Sequence, residues 1–192
     1  MKIIRFFAML SRMKYIHRWG LMRNTRPENL TEHTLEVAML AHALCVIGNS
    51  RLGGSTDAGQ VVLYALYHDC GEIVTGDLPT PVKYHSQALH QAYRQLEQQA
   101  SDRLLALLPD DLRPAYQPYL APCEDPKIRQ LVKAADKLSA LIKCIDERQG
   151  GNREFTRAET AILRQLEALA LPEVAVFLEE CLPAYSLTLD EL

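Results

Sequence analysis

The feature that most constrains this chain is a helical spacing of apolar residues that recurs from one end to the other. Residues 28–49, "ENLTEHTLEVAMLAHALCVIGN", show it most clearly, and Asn29 or Thr31 is available there as an N-cap. The apolar face predicted for this helix contains Leu35, Ala38, Met39 and Leu44. No segment has a convincing alternation of apolar and polar residues, which is typical of a half-buried strand. The sequence therefore predicts an all-α fold, a single-domain helical bundle.

Glycines, prolines and polar clusters separate the predicted helices. Gly150 and Gly151 are expected to end one helix, and Pro172 to begin another. The predicted helices are residues 2–17, 28–49, 60–74, 86–108, 127–149, 153–171 and 172–182, with loops and room for a short helix in 109–126. Because no repeat, low-complexity segment or linker interrupts them, residues 1–192 are predicted to form one domain.

Cysteine and hydropathy patterns bear on the cellular compartment. The five cysteines form no CxxC pair, and their odd number argues against a disulfide framework, so a reducing cytoplasm is expected. No uninterrupted apolar run reaches the roughly 18 residues that a membrane span requires. We therefore expect a cytoplasmic protein that has no membrane partner.

The first part of the chain is basic although the net charge is −3. Seven cations precede the first acid, Glu28: Lys2, Arg5, Arg12, Lys14, Arg18, Arg23 and Arg26. A transit peptide, a solvated basic helix and an anion site are the alternatives, and charge alone favours the solvated helix. Nucleic acid is not an expected partner, because the rest of the chain is acidic and has no recognition motif.

Imidazole and carboxylate side chains recur on three predicted helices. His33, the adjacent pair His68–Asp69, and Asp136 form a set that suits a divalent transition metal such as Mn, Fe, Co or Zn. Glu72 follows His68 and Asp69 at i+4 and i+3 of a predicted helix, so it is expected to face the same pocket. Spacing alone leaves a metal site and a structural polar network equally open.

Simpler explanations exist for each of these residues. His33 is near a helix start, where a capping or surface role is common, and Asp136 is three residues from a potential partner, Lys133. Against that pairing, Asp136 has apolar neighbours at i−4 and i+4, where a buried carboxylate needs a compensating partner. Cys70, beside Asp69, is expected to be a small buried thiol rather than a ligand. His17, His42, His85 and His90 have no ligand spacing and are expected to be structural.

Three longer stretches carry a family resemblance. "HRWGLMRNTRPENLTEHTLEVAMLAHAL", "ALYHDCGEIVTGDLPTPVKY" and "LVKAADKLSALIKCIDE" resemble the bacterial 5′-deoxynucleotidases among the HD-domain metal-dependent phosphohydrolases. The resemblance extends over nearly the whole chain. It implies a helical bundle of the HD-domain type, one divalent metal cation of uncertain identity, a homodimer, and hydrolysis of deoxyribonucleoside 5′-monophosphates. One minor difference is the Cys70–Gly71 pair between the His-Asp doublet and Glu72.

The resemblance also implies a role for each site residue. The implied metal ligands are His33, His68, Asp69 and Asp136, and Glu72 is the implied catalytic acid/base. Arg18 and Asp69 are also implied catalytic residues, and Arg18 would hold the phosphate. The implied substrate-binding residues are Arg18, Trp19, His33, Asp69, Asp77, Leu78, Pro79, Thr80 and Asp136. Without the resemblance, Trp19 would be assigned to core packing and Asp77 to a turn cap.

Other functions remain open at this point. An HD phosphohydrolase that acts on a triphosphate or a cyclic nucleotide is one alternative, and a catalytically silent nucleotide-binding module is another. Only Arg18, and Lys83 if it is not simply solvated, are expected as cations near the pocket, which argues against a longer polyphosphate. Because Arg18 and Trp19 are implied site residues, we expect the basic segment to be part of the enzyme rather than a transit peptide.

Overall fold

Ten α-helices make up the bundle in the computed structural model, which describes residues 3–83 and 85–192 except for the side chain of Thr80. They are α1 (Phe6–Leu10), α2 (Leu30–Arg51), α3 (Ala58–Tyr67), α4 (Glu72–Thr75), α5 (Thr80–Lys83), α6 (Gln87–Leu105), α7 (Arg113–Leu120), α8 (Pro126–Gln149), α9 (Thr156–Ala168) and α10 (Pro172–Val176). Tighter or wider helical turns occur at Ser11–Tyr15, Arg153–Phe155, Phe177–Cys181 and Leu182–Ser186. The described residues contain no strand beyond one isolated bridge, so the predicted all-α class is confirmed. The assignment of residues 1–192 to one domain stays a prediction.

The two longest helices, α2 and α8, pack against each other and against α3 at the centre of the molecule. Side-chain caps mark the start of each, and the cap of α2 is the expected Asn29. Asn29 and Glu32 form a reciprocal capping box at the start of α2, and Asp125 caps α8 ahead of Pro126. The main core lies between these helices and includes Val37, Leu44, Val61, Leu131 and Leu138. Burial of that apolar surface is the main force that holds the helices in place.

The predicted apolar face of α2 is partly wrong. Ala38 and Leu44 are buried as expected, but Leu35 and Met39 are 56% and 58% exposed. The helix is apolar on two sides, and only one of them faces the core. By length and composition α2 could also span a membrane, although 56% of that window is buried inside the protein.

The first predicted helix, residues 2–17, is shorter than expected. It consists of α1 and the 3₁₀ turn Ser11–Tyr15. The chain then runs extended beside the residues that precede α2, with Arg18 N–H donating to the Glu28 carbonyl at 3.0 Å and Leu30 N–H to the Ile16 carbonyl at 2.9 Å. This pairing holds Arg18 beside the start of α2.

The third predicted helix, residues 60–74, is interrupted where the sequence places its His-Asp pair. α3 ends at Tyr67, residues 68–71 form a turn, and α4 begins at Glu72. The interruption has a local cause: His68 Nδ1 donates to the Ala65 carbonyl at 2.7 Å, in competition with the helical backbone hydrogen bonds. Following amides bond three residues back, as Glu72 N–H does to the Asp69 carbonyl. A second core cluster under this turn contains Phe6, Leu30, Cys70, Leu104 and Leu120.

Candidate active site

The four predicted ligand residues converge from α2, α8 and the turn after α3. His33 Nε2 is 3.2 Å from Asp136 Oδ1 and 3.5 Å from Asp69 Oδ2, and His68 Nε2 is 3.2 Å from the same Asp69 oxygen. One ligand atom from each of His33, His68 and Asp136 lies within 4.8 Å of the others. Asp136 meets His33 rather than Lys133, so the surface ion pair considered above is not formed.

Hydrogen bonds orient both imidazoles so that their Nε2 atoms face the cluster. His33 Nδ1 lies 3.0 Å from Ser139 Oγ, and that hydroxyl donates to Glu36 at 2.6 Å. The hydroxyl therefore accepts from His33 Nδ1–H, as the Ala65 carbonyl accepts from His68. Both Nε2 atoms are buried and have no hydrogen-bond partner.

The charges of the cluster suit a cation. Burial acts to raise the pKa of Asp69 and of Asp136. The imidazoles outweigh it: they hold the pKa of Asp69 well below its usual range and lower that of Asp136. Burial acts to lower the pKa of His33 and of His68, but the neighbouring carboxylates outweigh it and both pKa values are raised. A metal ion replaces protons at such a site, because it binds the neutral imidazole and the ionised carboxylate. The donor set and its two unpartnered nitrogen atoms thus fit a divalent transition metal.

Arg18 is next to the cluster, with Nη1 3.5 Å from Asp69 Oδ2. Its side chain is only 12% exposed. Burial acts to lower the pKa of Arg18, but the carboxylates of Asp136, Asp69, Glu28 and Asp77 raise it overall. A permanently charged guanidinium beside a metal site is suited to bind phosphate oxygens two at a time.

Trp19 follows Arg18 in an unusual backbone conformation, with φ at 60°. A bulky residue rarely adopts this left-handed region, and such strain concentrates at functional sites. The indole Nε1–H donates to Glu28 Oε2 at 2.8 Å, and the ring packs against Phe155 with centroids 5.2 Å apart. Asp77 accepts a hydrogen bond from the Trp19 backbone, so these two predicted sugar-binding residues are neighbours.

Glu72 lies at the start of α4 and is 8% exposed. Burial, together with the nearby charges of Asp69 and Asp77, raises the pKa of Glu72 to about 9. Its Oε2 atom is buried and has no hydrogen-bond partner. In the metal-free protein Glu72 therefore keeps its proton at neutral pH, and a protonated carboxyl is what a general acid needs.

The turn after α4 carries the remaining predicted binding residues. Gly76 has φ 72° and ψ 164°, a conformation that is open almost only to glycine, and it directs the chain into Asp77. Burial raises the pKa of Asp77, and Leu78 and Pro79 are half-buried. Thr80 begins α5, but its side chain lies outside the described part of the chain.

One carboxylate that sequence reasoning missed joins several of these side chains. Glu28 accepts from Trp19 Nε1 and lies 3.5 Å from both Arg18 Nε and His33 Nδ1. Burial acts to raise the pKa of Glu28, but the hydrogen bond to His33 and the charge of Arg18 lower it overall. Its position next to the capping residue Asn29 was the only local signal, and helix caps do not predict contacts with a distant loop.

A second missed acid ties the loop that follows Trp19 to α8. Glu147 is 1% exposed and accepts from Thr25 N–H at 2.9 Å, Thr25 Oγ1 at 2.7 Å and Asn152 Nδ2 at 2.8 Å. It also pairs with Lys143, itself 8% exposed. Although burial opposes it, these hydrogen bonds hold the pKa of Glu147 far below its usual range.

Residues expected to be outside the metal cluster are indeed elsewhere. Cys70 is 1% exposed and burial raises its pKa to about 12, so it is the buried thiol that was predicted. Lys83 is not simply solvated, because its Nζ pairs with Glu97 at 2.8 Å. Neither residue supplies the cluster with a further ligand.

A cleft of about 860 Å³ opens from the cluster between α3, α6 and α8. His68, Asp69 and Asp136 are part of its lining, as is Glu72. Three tyrosines and three cations also line it: Tyr64, Tyr67, Tyr119, Arg94, Arg129 and Lys133. The expectation that only Arg18 and Lys83 supply positive charge near the pocket is therefore wrong.

Comparison with known proteins gives the chain close relatives. A family model described as "5′-deoxynucleotidase YfbR-like" matches residues 5–185. The 5′-deoxynucleotidase YfbR of Escherichia coli strain ATCC 8739 is 45% identical over 193 residues, covering 100% of this chain and 97% of its own.

Solved structures agree at the level of the fold. An HD-domain phosphohydrolase from Listeria innocua has a TM-score of 0.83 at 24% identity and covers 94% of this chain and 88% of its own. A predicted metal-dependent phosphohydrolase from Magnetospirillum magnetotacticum MS-1 has a TM-score of 0.63 at 26% identity, with 94% and 91% covered. The bundle is thus of the HD-domain type, as the resemblance implied.

Proposed function

The chain belongs to the YfbR-like 5′-deoxynucleotidase family, and we propose that it hydrolyses deoxyribonucleoside 5′-monophosphates to deoxynucleoside and phosphate in a metal-dependent reaction. The observation that carries this proposal is the convergence of two imidazoles and two carboxylates beside a buried arginine and a protonated glutamic acid. The enzyme is a phosphoric monoester hydrolase.

His33, His68, Asp69 and Asp136 are the proposed ligands of one divalent cation, with Co, Mn, Fe and Zn as candidates. The unpartnered Nε2 atoms of the two imidazoles support this assignment. A cation bound there would polarise a phosphoryl oxygen and lower the pKa of water towards about 7. The 26% identical relative, described as metal-dependent, agrees with this role.

Arg18 and Glu72 are the proposed catalytic partners of the ligand cluster. Arg18 binds two phosphate oxygens and offsets the charge that develops as water attacks. Glu72 passes its proton to the 5′ oxygen of the leaving nucleoside, which its raised pKa allows. Asp69, which contacts Arg18 and both imidazoles, orients these groups towards the same phosphate.

Trp19 and the Asp77–Thr80 turn form the proposed sugar subsite. Asp77 accepts from the 3′ hydroxyl, which deoxyribose retains, and Leu78 and Pro79 border the sugar. The indole of Trp19 occupies the place that a 2′ hydroxyl would need. Burying an unpaired hydroxyl costs on the order of 1–3 kcal/mol, so a roughly ten- to hundredfold preference for deoxyribonucleotides is expected.

A substrate panel tests the proposed function directly. Metal-loaded protein is incubated with matched deoxy- and ribonucleoside monophosphates, and released phosphate is measured. Faster release from the deoxy series is expected for each base. Equal phosphate release from both series would contradict the proposed selectivity for deoxyribose. No release from either series would contradict the proposed enzymatic activity.

The same panel includes a deoxynucleoside triphosphate and a cyclic nucleotide, because a different HD phosphohydrolase activity is the second candidate. The cations of the cleft favour including the triphosphate, since they supply charge that a polyphosphate needs. Product analysis separates the candidates: orthophosphate is expected from a monophosphatase, tripolyphosphate from a triphosphohydrolase. A silent binding module would release neither.

We also propose a homodimer and a cytoplasmic location. The exposed apolar residues Leu35 and Met39 on α2 support a second copy as the partner. All five cysteines are free thiols, three of them buried, which supports a reducing compartment.

A further inference from the structure

A carboxylate that has no assigned role, Glu36, lies behind the proposed metal ligand His33. Glu36 follows His33 by three residues on α2, and Ser139 follows Asp136 by three residues on α8. Residues three apart on a helix are neighbours on its surface. Because α2 and α8 pack against each other, they bring the side chains of Glu36 and Ser139 together beside the ligands.

The hydroxyl group of Ser139 connects Glu36 to the imidazole of His33. Its Oγ atom lies 3.0 Å from His33 Nδ1 and donates to Glu36 Oε2 at 2.6 Å. A serine hydroxyl has one proton to donate. Because that proton is directed to Glu36, Oγ can only accept from the imidazole. His33 therefore carries its hydrogen on Nδ1 and presents the lone pair of Nε2 to a metal.

Loss of the carboxylate would remove this constraint. Ser139 and His33 are both 0% exposed, so their contact is shielded from bulk solvent. Without an acceptor at position 36, the hydroxyl is free to turn and donate to His33 Nδ1. The imidazole hydrogen would then belong to Nε2, the atom that must be unprotonated to bind a metal.

Other contacts do not duplicate the one between Glu36 and Ser139. Glu28 Oε1 lies 3.5 Å from His33 Nδ1, which is a longer and weaker contact, and Glu28 also accepts from Trp19. Within the described part of the chain, Glu36 has no ion pair and accepts a hydrogen bond from Ser139 alone. The hydrogen bond to Ser139 is thus the direct connection from Glu36 to the site.

Glu36 is separate from the cleft that leads to the ligand cluster. It lines a different cavity, of about 510 Å³, whose lining contains none of the four proposed ligands. We propose that Glu36 is a positioning residue, which acts through Ser139 to hold His33 in the tautomer that binds a metal through Nε2; this inference rests on the metal site of the proposed function.

Binding of Zn²⁺ to the metal-free protein tests this role without any nucleotide. Partners behind a metal-binding histidine typically contribute about 10–100-fold to metal affinity, so the dissociation constant measured by calorimetry should rise by that factor in Glu36→Ala. Glu36→Gln keeps an acceptor for Ser139 and should recover most of the lost affinity. An unchanged dissociation constant in Glu36→Ala, or equal weakening in Glu36→Gln, would overturn the proposal.

A double-mutant cycle tests whether Glu36 acts through Ser139. Ser139→Ala should weaken Zn²⁺ binding as Glu36→Ala does. Glu36→Ala/Ser139→Ala should bind no more weakly than Ser139→Ala, because both changes break the same path of hydrogen bonds. Effects that add in the double variant would mean that Glu36 acts by another route and would contradict the proposal.

Asp146→Ala is the matched control. Asp146 lines the same cavity from α8, but its side chain has no hydrogen bond to any described residue. The variant removes the same charge from the cavity and should keep the Zn²⁺ affinity of the unmodified protein. Equal weakening in Asp146→Ala and Glu36→Ala would overturn the proposal, since the charge of the cavity would then be the cause.

Urea unfolding and a nucleotide assay separate the remaining outcomes. A Glu36→Ala variant that unfolds more easily but binds Zn²⁺ as tightly as before would make Glu36 a structural residue only. If Zn²⁺ binds and Glu36→Ala weakens it, the inference holds even for a chain that hydrolyses no nucleotide. If the unmodified protein binds no Zn²⁺, the proposed metal site is wrong, and the role of Glu36 with it.

Discussion

Glu28 is a single carboxylate that contacts three side chains of the candidate site. It is 12% exposed, accepts from the Trp19 indole, and lies near Arg18 and His33. Because the backbone of Trp19 is in a rare conformation, the indole needs a firm partner to stay in place. We infer that Glu28 is a positioning residue for the proposed sugar subsite.

Replacement of Glu28 should therefore relax the discrimination between sugars. A hydrogen bond to a charged acceptor is worth about 1.5–3 kcal/mol, so Glu28→Ala should reduce the deoxy-to-ribo ratio of kcat/KM by about tenfold or more. Glu28→Gln keeps an acceptor for the indole and should largely keep the ratio. An unchanged ratio in Glu28→Ala would show that Trp19 is held without Glu28.

Glu72 differs from Glu28 because it is protonated rather than charged. Glu72→Gln preserves the shape and a hydrogen-bond donor but has no acidic proton to transfer. General acid catalysis contributes typically about 10²–10⁴-fold, so kcat should fall by that order while metal content stays the same. Turnover close to that of the unmodified enzyme would mean that another group protonates the leaving oxygen.

The same substitution should change the pH dependence of stability. Folded metal-free protein holds the Glu72 proton up to a pH of about 9, while the unfolded chain releases it near 4.5. Stability thus falls as pH rises between these values, because the unfolded state gains by losing the proton. The amide introduced by Glu72→Gln does not titrate. The free energy of unfolding of this variant minus that of the unmodified protein, measured in urea, should therefore increase from pH 6 to pH 8. A constant difference would contradict the raised pKa.

At the level of secondary structure, the helices could be predicted, and so could the convergence of His33, His68, Asp69 and Asp136, whose role as metal ligands stays a prediction. The connections between the helices could not be predicted. Periodicity identified α2, α6 and α8 because each has a long face against the core. The same periodicity predicted that α3 continues to residue 74. It gave no indication of the hydrogen bond from His68 to the Ala65 carbonyl, because that bond depends on a side chain and not on hydropathy. The contacts of Glu28 and the cations of the cleft depend on residues far apart in sequence, which local spacing cannot bring together.

The loop from Trp19 to Asn29 depends on one buried acid of α8 for its position. Glu147→Ala would leave Lys143 buried without its partner and several donors of the loop unsatisfied. Breaking a buried ion pair costs about 3–5 kcal/mol, and denaturant unfolding at neutral pH should show a loss of that size. The lowered pKa of Glu147 means that this stabilisation is present above the unfolded value of 4.5 and is lost as pH falls.

Glu154→Ala is the matched control for this loop. Glu154 also accepts from the loop, at the Arg23 backbone and side chain, but Arg23 is 92% exposed. Exposed pairs contribute about 0–1 kcal/mol, so this variant should unfold close to the unmodified protein. Equal losses in the two variants would show that burial does not decide the contribution of Glu147.

On the scale of the whole molecule, α2 has apolar side chains both on the side that faces the core and on the side that faces outwards. Its inner side carries Val37 and Leu44 of the core, while Leu35, Met39 and Val46 are exposed on its outer side. Helices that are apolar all round are normally buried. A second copy of the chain is the proposed cover, and in a two-fold dimer the same stripe would meet itself.

A charge in the middle of this stripe tests the dimer. In Met39→Glu the two-fold axis would bring two buried carboxylates together, so the dissociation constant should rise by at least about 100-fold, equivalent to roughly 3 kcal/mol. Light scattering across a concentration series should then give the monomer mass, while Leu189→Glu, at a site 88% exposed near the C-terminus, should stay dimeric. A monomeric unmodified protein that binds lipid vesicles through α2 would instead assign the stripe to a membrane, the other environment that its length and composition allow.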